Sequence, residues 1–258
     1  MAENDNKALL GKKVFFLHPS TIVQNQVVTA LAQEEFEVYI VKNELKLRDK
    51  LRKYSDSVVF ACINEGLREN EWEDWIRSVT VNQETAGVSI GIIASGLVES
   101  TRRKFILQQK ISCGYTVLKS DINDVIKQLI TILNNRNCKG RRKYMRALTE
   151  NEPNTTVNFP MNGTFVNGKL KDISVVGFSC SFEDDPGLVR NSLFGNIQIR
   201  LQSQLLKTEG IVFGSRMDEG QKTYVVLFTQ RIDPEVRTKI RKYVQSNLQD
   251  IMDRELGV

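Results

Sequence analysis

The sequence predicts two domains: an N-terminal doubly wound parallel α/β sheet, and a C-terminal, mainly β domain that ends in a helix. Three observations predict this. Short apolar, β-branched runs alternate with amphipathic stretches through the first half. Asparagines and a glycine break that rhythm at Asn134-Asn135-Arg136-Asn137-Cys138-Lys139-Gly140, a linker signal. From residue 155 onward, short strands and turn signals replace it. The expected boundaries are 1–136 for the first domain, 137–147 for the linker and 148–258 for the second domain.

In the first half, strands are expected at Val14–Leu17, Phe36–Val41, Ser57–Ile63, Val88–Ala94 and Tyr115–Leu118. These runs are apolar on both faces, as buried parallel strands are. Helices are expected between them, at about 20–33, 44–54, 69–81, 99–109 and 121–135. The last is the clearest: Ile122, Val125, Ile126, Leu129, Ile130 and Leu133 recur at helical spacing, and Ser120 or Asp121 can cap its start. Five β–α repeats in this order argue for a doubly wound sheet. Trp72 and Trp75, three apart on one helix, read as core or interface packing.

In the second half, strands are expected at Thr155–Phe159, Gly163–Val166, Lys169–Ile173, Gly177–Phe182, Asn196–Leu201, Leu206–Phe213 and Thr223–Phe228. Asn162-Gly163 and Asn167-Gly168 read as tight turns between strands. About six short antiparallel strands suggest a small β-barrel, an architecture without exposed edges. Asp233-Pro234 announces a C-terminal helix. Its apolar stripe, Val236, Ile240, Val244, Leu248 and Ile251 or Met252, fits packing against the barrel or against a second copy.

Composition narrows the class. A chain of 258 residues has room for two cores, and 41% hydrophobic with 26% charged residues is an ordinary soluble balance. No run approaches the roughly 20 apolar residues of a membrane span, and the polar start Met1–Asn6 does not resemble a signal peptide. A cytoplasmic location is therefore expected. Cys62, Cys113, Cys138 and Cys180 are scattered, and His18 is the single histidine, which argues against a zinc site. Cys62 and Cys180 lie in apolar runs and read as small buried hydrophobes. His18, before Pro19 at a strand end, reads as a loop residue. No paired carboxylates or nucleophile–base pair with convincing spacing stand out, so neither an enzyme nor a cofactor is expected.

The net charge of +5 permits an anionic partner without requiring one. Lys139, Arg141, Arg142, Lys143 and Arg146 put five cations into eight residues. That concentration favours a small phosphate-bearing ligand over a nucleic acid. Tyr144 is the cluster's one aromatic, and no recognition helix or stacking platform lies beside it. Downstream stands Asp172-Ile173-Ser174-Val175-Val176-Gly177. Strand alternation would turn Asp172 and Ser174 to one face. By itself the motif also fits a β-turn whose aspartate and serine bond the local backbone.

Taken in order, R-x-x-x-R and then D-x-S-x-x-G resemble the signature of PilZ domains, receptors for cyclic di-GMP, over about the last 120 residues. The resemblance implies a flexible arginine segment before a small barrel. It implies that Arg142 and Arg146 grip phosphates and guanine rings, and that Arg141 reaches a second ligand molecule. Asp172 would accept from guanine N–H groups, Ser174 would contact phosphate or base, and Gly177 would admit close backbone approach. The planar guanidinium fork suits phosphate and guanine alike. Ligand would order residues 137–147 onto the barrel wall and reorient the N-terminal domain, which would signal to an unidentified protein effector. The family acts in motility, exopolysaccharide, virulence and transcription control.

The first half resembles the receiver domains of response regulators, with departures. Leu17-His18-Pro19-Ser20 stands where acidic residues belong, and Ala61 falls near the position of the phosphoacceptor aspartate. Without clustered carboxylates, nothing would hold Mg²⁺ or accept a phosphoryl group. Ser95 and Lys119 match receiver positions and equally fit ordinary strand-end polar residues. The expectation is a degenerate, receiver-like scaffold that contacts a partner or the neighbouring domain. The alternatives are a phosphorylation-independent response-regulator-like protein and a nucleic-acid-binding protein.

Overall fold

The computed structural model describes residues 11–96, 99–108, 111–118, 121–150, 152–218 and 220–258. The chain divides into two units, Met1–Lys143 with Gln249–Val258, and Tyr144–Leu248.

The first unit is built on β1 (Val14–Leu17), β2 (Val38–Val41), β3 (Val58–Cys62), β4 (Ser89–Ala94) and β5 (Tyr115–Val117). All are parallel, in the order β2-β1-β3-β4-β5. That is a doubly wound order, whose functional end is where the strands finish. Every residue of β1 and β3 is buried, which explains their unbroken apolar sequence. A π-helical stretch, Val23–Val28, runs into α1 (Thr29–Gln33); α2 (Glu44–Leu51), α3 (Glu69–Thr80), α4 (Glu99–Gln108) and α5 (Ile122–Asn135) follow.

Local chemistry sets the helix ends. Asp121 caps α5 by accepting from the Asn123 N–H at 2.8 Å; Ser120, the other candidate cap, lies outside the described residues. At the far end Asn137 turns left-handed, with φ of 51°. The Asn137 N–H then reaches the Asn134 carbonyl at 2.9 Å, and the Cys138 N–H reaches that of Leu133 at 3.1 Å. This is a Schellman stop, formed by an asparagine that tolerates left-handed backbone. Trp72 and Trp75 are buried within this unit's core. Residues 249–258 complete the unit. The Gln249 amide bonds both the N–H and the C=O of Ile40 at 2.9 Å, satisfying part of the open edge of β2.

The second unit comprises β6 (Ala147–Leu148), β7 (Thr155–Met161), β8 (Thr164–Ser174), β9 (Gly177–Phe182), β10 (Leu193–Leu201), β11 (Gln204–Asp218) and β12 (Gln221–Phe228). Six of these run antiparallel in the order β8-β7-β10-β11-β12-β9, and β9 pairs back onto β8 to close a barrel. β6 pairs with β8 beyond the point where β7 ends. Phe159, Phe178, Phe182, Phe194 and Tyr224 fill the interior, with the Phe159 and Phe194 rings 4.1 Å apart, edge to face. Asp233 caps α6 (Pro234–Leu256) by accepting from the Glu235 N–H at 2.7 Å. Ile240, Tyr243 and Val244 of α6 join the barrel core, with Val236 and Leu248 at its margin.

The two Asn-Gly pairs part company. Asn162 and Gly163 have φ of 50° and 82°, the double left-handed turn of a tight hairpin. Asn167-Gly168 makes no turn. It lies inside β8, paired with Asn158 and Val157, so the two strands expected at Gly163–Val166 and Lys169–Ile173 are one. Gly168 is small because the Phe182 ring lies over it: an added Cβ would fall 2.5 Å from a ring carbon. Gly168→Ala is therefore expected to cost about 1–3 kcal/mol by overpacking, read as a lower urea midpoint with an unchanged m-value.

All four cysteines are free and buried. Burial pushes the Cys62 and Cys180 thiols from 9.0 up to about 12, helped by the negative charges of Glu65 and Asp172. Unfolded thiols ionise near 9 while the folded ones keep their protons to about 12. Stability contributed by these groups is thus complete below about pH 9 and is lost as pH rises towards 12. Urea midpoints are expected to fall between pH 8.5 and 10.5, and Cys62→Ala/Cys180→Ala to shallow that fall.

Candidate functional site

At the C-terminal end of the parallel sheet, Ser20, Cys62, Asn64, Glu65 and Ser95 line a cavity of about 30 Å³. That volume holds one or two waters. The Ser95 N–H donates to Asn64 Oδ1 at 2.6 Å, which draws the ends of β3 and β4 together. Ala61 is buried within β3, in register with Leu17. His18 has φ of 51°, and its Nε2 lies 3.0 Å from Glu44 Oε2, with the ring edge-on to Trp72. The single histidine is thus packed and partnered. Lys119 lies outside the described residues. Among the described residues no group of three His, Cys, Asp or Glu side chains could hold a metal ion. Among them, too, no helix is long and apolar enough to cross a membrane.

The barrel wall is different. Antiparallel pairing of Ala147 with Ile173 and of Leu148 with Asp172 runs the preceding residue, Arg146, alongside the end of β8. Thr149 secures this segment: its N–H reaches the Lys171 carbonyl at 2.9 Å and its hydroxyl reaches that of Leu170 at 2.7 Å. Arg146 Nη1 donates to Asp172 Oδ1 at 3.0 Å. The two halves of the motif, 26 residues apart, therefore meet. The arginine side chain is 39% exposed and the aspartate 12%, so the pair lies at the surface with its anion recessed. The other oxygen, Asp172 Oδ2, accepts from the Ser179 hydroxyl.

Ser174 and Gly177 shape the turn that follows. Ser174 Oγ donates to the Gly177 carbonyl at 3.1 Å and accepts from the Val176 N–H at 3.4 Å. A Cβ on Gly177 would collide with the Val226 carbonyl oxygen of β12. Ser174 thus spends its one proton locally, and Gly177 admits a neighbouring strand.

The basic cluster is spread out. Lys139 sits over the Phe36 ring at 4.6 Å, with Glu34 at 3.9 Å. Arg141 and Arg142 are exposed, with no side-chain partner among the described residues. Two features escaped sequence reasoning. β6 is too short to show any periodicity. Ser179 was within reach of hairpin counting, because a two-residue loop pairing Ser174 with Gly177 also pairs Asp172 with Ser179.

Residues 140–246 match the family model of the PilZ domain. No curated protein matches the chain. Among solved structures, the chain is similar to YcgR of Escherichia coli in complex with c-di-GMP. Identity is 14% over 45% of this chain and 50% of that one, with a TM-score of 0.39. It is similar to the K. pneumonia MrkH–c-di-GMP complex at 16% identity, over 45% of this chain and 57% of that one, with a TM-score of 0.40. A response regulator from Desulfuromonas acetoxidans is 12% identical over 48% of this chain and 97% of that one, with a TM-score of 0.38. The chain thus spans about half the length of the first two.

The closed strand ends of the first unit carry an expectation. Incubation with a small phosphodonor and Mg²⁺ should leave the protein unlabelled, because Ala61 offers no nucleophile and the cavity of about 30 Å³ has no room for a phosphoryl group with its metal. Intact-protein mass spectrometry reads the outcome.

Proposed function

Residues 140–246 match the PilZ domain model, and from that match we propose that the chain is a receptor for cyclic di-GMP. The observation that carries this reading is the 3.0 Å contact of Arg146 with Asp172, which joins the two half-motifs on one wall of the barrel. The chemistry suits the ligand. A guanidinium reads phosphate by paired hydrogen bonds and stacks on a base. A carboxylate has about four lone-pair positions, and two donors occupy Asp172, so it retains capacity for more. Guanine presents two adjacent N–H donors on its Watson–Crick edge, the complement of a carboxylate; adenine does not.

Arg142 supplies the second guanidinium of the pair, and Arg141 a further one for a second ligand molecule. Ser174 and Gly177 serve first by holding the turn, which keeps Asp172 at the strand end. In this reading the domains are 1–136 and 148–258, with 137–147 as the linker that carries R-x-x-x-R. Ligand draws that linker onto the barrel wall and changes the orientation of the domains, so the receiver-like domain signals to a protein partner. The protein acts by binding and catalyses nothing.

Calorimetric titration tests the reading. Wild type is expected to bind cyclic di-GMP and to bind cyclic di-AMP far more weakly. Arg142→Ala, Arg146→Ala and Asp172→Ala should each weaken cyclic di-GMP binding by about tenfold or more, roughly 1.4 kcal/mol. Equal affinity across all four proteins would rule the receptor out.

A further inference from the structure

We infer that Ser179, outside both half-motifs, is a positioning residue of the ligand site: it decides how the Asp172 carboxylate is shared between Arg146 and the ligand. The inference rests on the receptor reading and adds a residue to it.

Ser179 stands directly opposite Asp172 across the β8–β9 ladder, where the pairing shifts register between Leu170 and Asp172. Parity along β9 explains its direction. Phe178, Cys180 and Phe182 belong to the barrel core, so Ser179 between them turns to the outer face with Asp172. Only 1% of Ser179 is exposed, so its hydroxyl has no water to turn to. A serine has one proton to give, and here Asp172 Oδ2 receives it.

This bond has a consequence for Arg146. Arginine and carboxylate prefer the two-pronged pairing, in which both oxygens face both guanidinium nitrogens. At Asp172 the arginine bonds one oxygen only, Oδ1 through Nη1, while Ser179 holds the other. Ser179 therefore keeps the ion pair one-pronged. A one-pronged pair on an arginine 39% exposed gives way readily to a ligand. Without the serine, Asp172 would swing round to close the two-pronged pair. Aspartate and arginine would then satisfy each other, and a guanine edge would have to break that pair before binding. Ser174, the hydroxyl within the motif, does not take this role, since its proton goes to the Gly177 carbonyl.

The test is titration of the full-length protein with cyclic di-GMP, using wild type, Ser179→Ala, Ser179→Thr, Asp172→Ala and the Asp172→Ala/Ser179→Ala double variant. Thermal melts check that each is folded. Ser179→Ala is expected to bind about tenfold more weakly than wild type, with the preference over cyclic di-AMP reduced. Ser179→Thr should restore most of the affinity. The double variant should bind no more weakly than Asp172→Ala, because the serine acts through the aspartate. Wild-type affinity in Ser179→Ala, together with lost affinity in Asp172→Ala, would overturn this inference and leave the receptor reading standing. Additive losses in the double variant would also overturn it. Failure of wild type itself to bind cyclic di-GMP would overturn both.

Discussion

The antiparallel pairing of β6 with β8 brings Arg146 beside Asp172, and its energetics differ from those of the ion pair it creates. Ala147 is fully buried, and Thr149, two residues on, uses both its N–H and its hydroxyl on the β8 backbone. Each such bond is worth about 0.5–1.5 kcal/mol net, and more would be lost if a buried partner were stranded. The Arg146–Asp172 pair, with its arginine 39% exposed, is worth roughly 0.2–1 kcal/mol after solvent screening. The ladder therefore holds the chain in place, and the ion pair only selects a rotamer. That division suits a binding site. The backbone carries the cost of alignment, and the polar contacts stay weak enough to be exchanged for a ligand's.

The parallel sheet shows the opposite relation between frame and chemistry. Its doubly wound order is intact, with β1 and β3 entirely buried. The strand ends, where such folds do their chemistry, are lined by small groups. Ala61 is a methyl group in the wall, and Asn64 bonds the Ser95 backbone across the gap. His18 is the strand-end loop residue expected, and it is held there by Glu44 and Trp72, with Gly66 kept small beneath its ring.

Legibility followed the range of the interaction. The helix over Ile122–Asn135 could be read because its apolar stripe, its Asp121 cap and its Asn137 stop are all local. Asn162-Gly163 could be read for the same reason, since both residues take the left-handed backbone that defines their turn. Asn167-Gly168 has the same two letters and no turn, because Gly168 answers to Phe182, a residue from the next strand. Within the candidate site, Arg146 and Asp172 could be paired by motif order. Ser174 and Gly177 were expected at a ligand, and their contacts in the fold are with their own turn and with β12.

By itself the sequence determined the two architectures, the stop of the last helix before the basic segment, and the two half-motifs. Each of these is set by periodicity or by a neighbour a few residues away. Tertiary structure alone decided that the cations part company, Lys139 onto the Phe36 ring and Arg146 onto Asp172. It alone decided that a serine on the far side of a hairpin takes the second aspartate oxygen. The physical reason is that a carboxylate's partners are chosen by distance in space. Here that distance is set by strand register: hairpin counting can place Ser179 opposite Asp172, but no local stretch carries the β6–β8 pairing that brings Arg146 in.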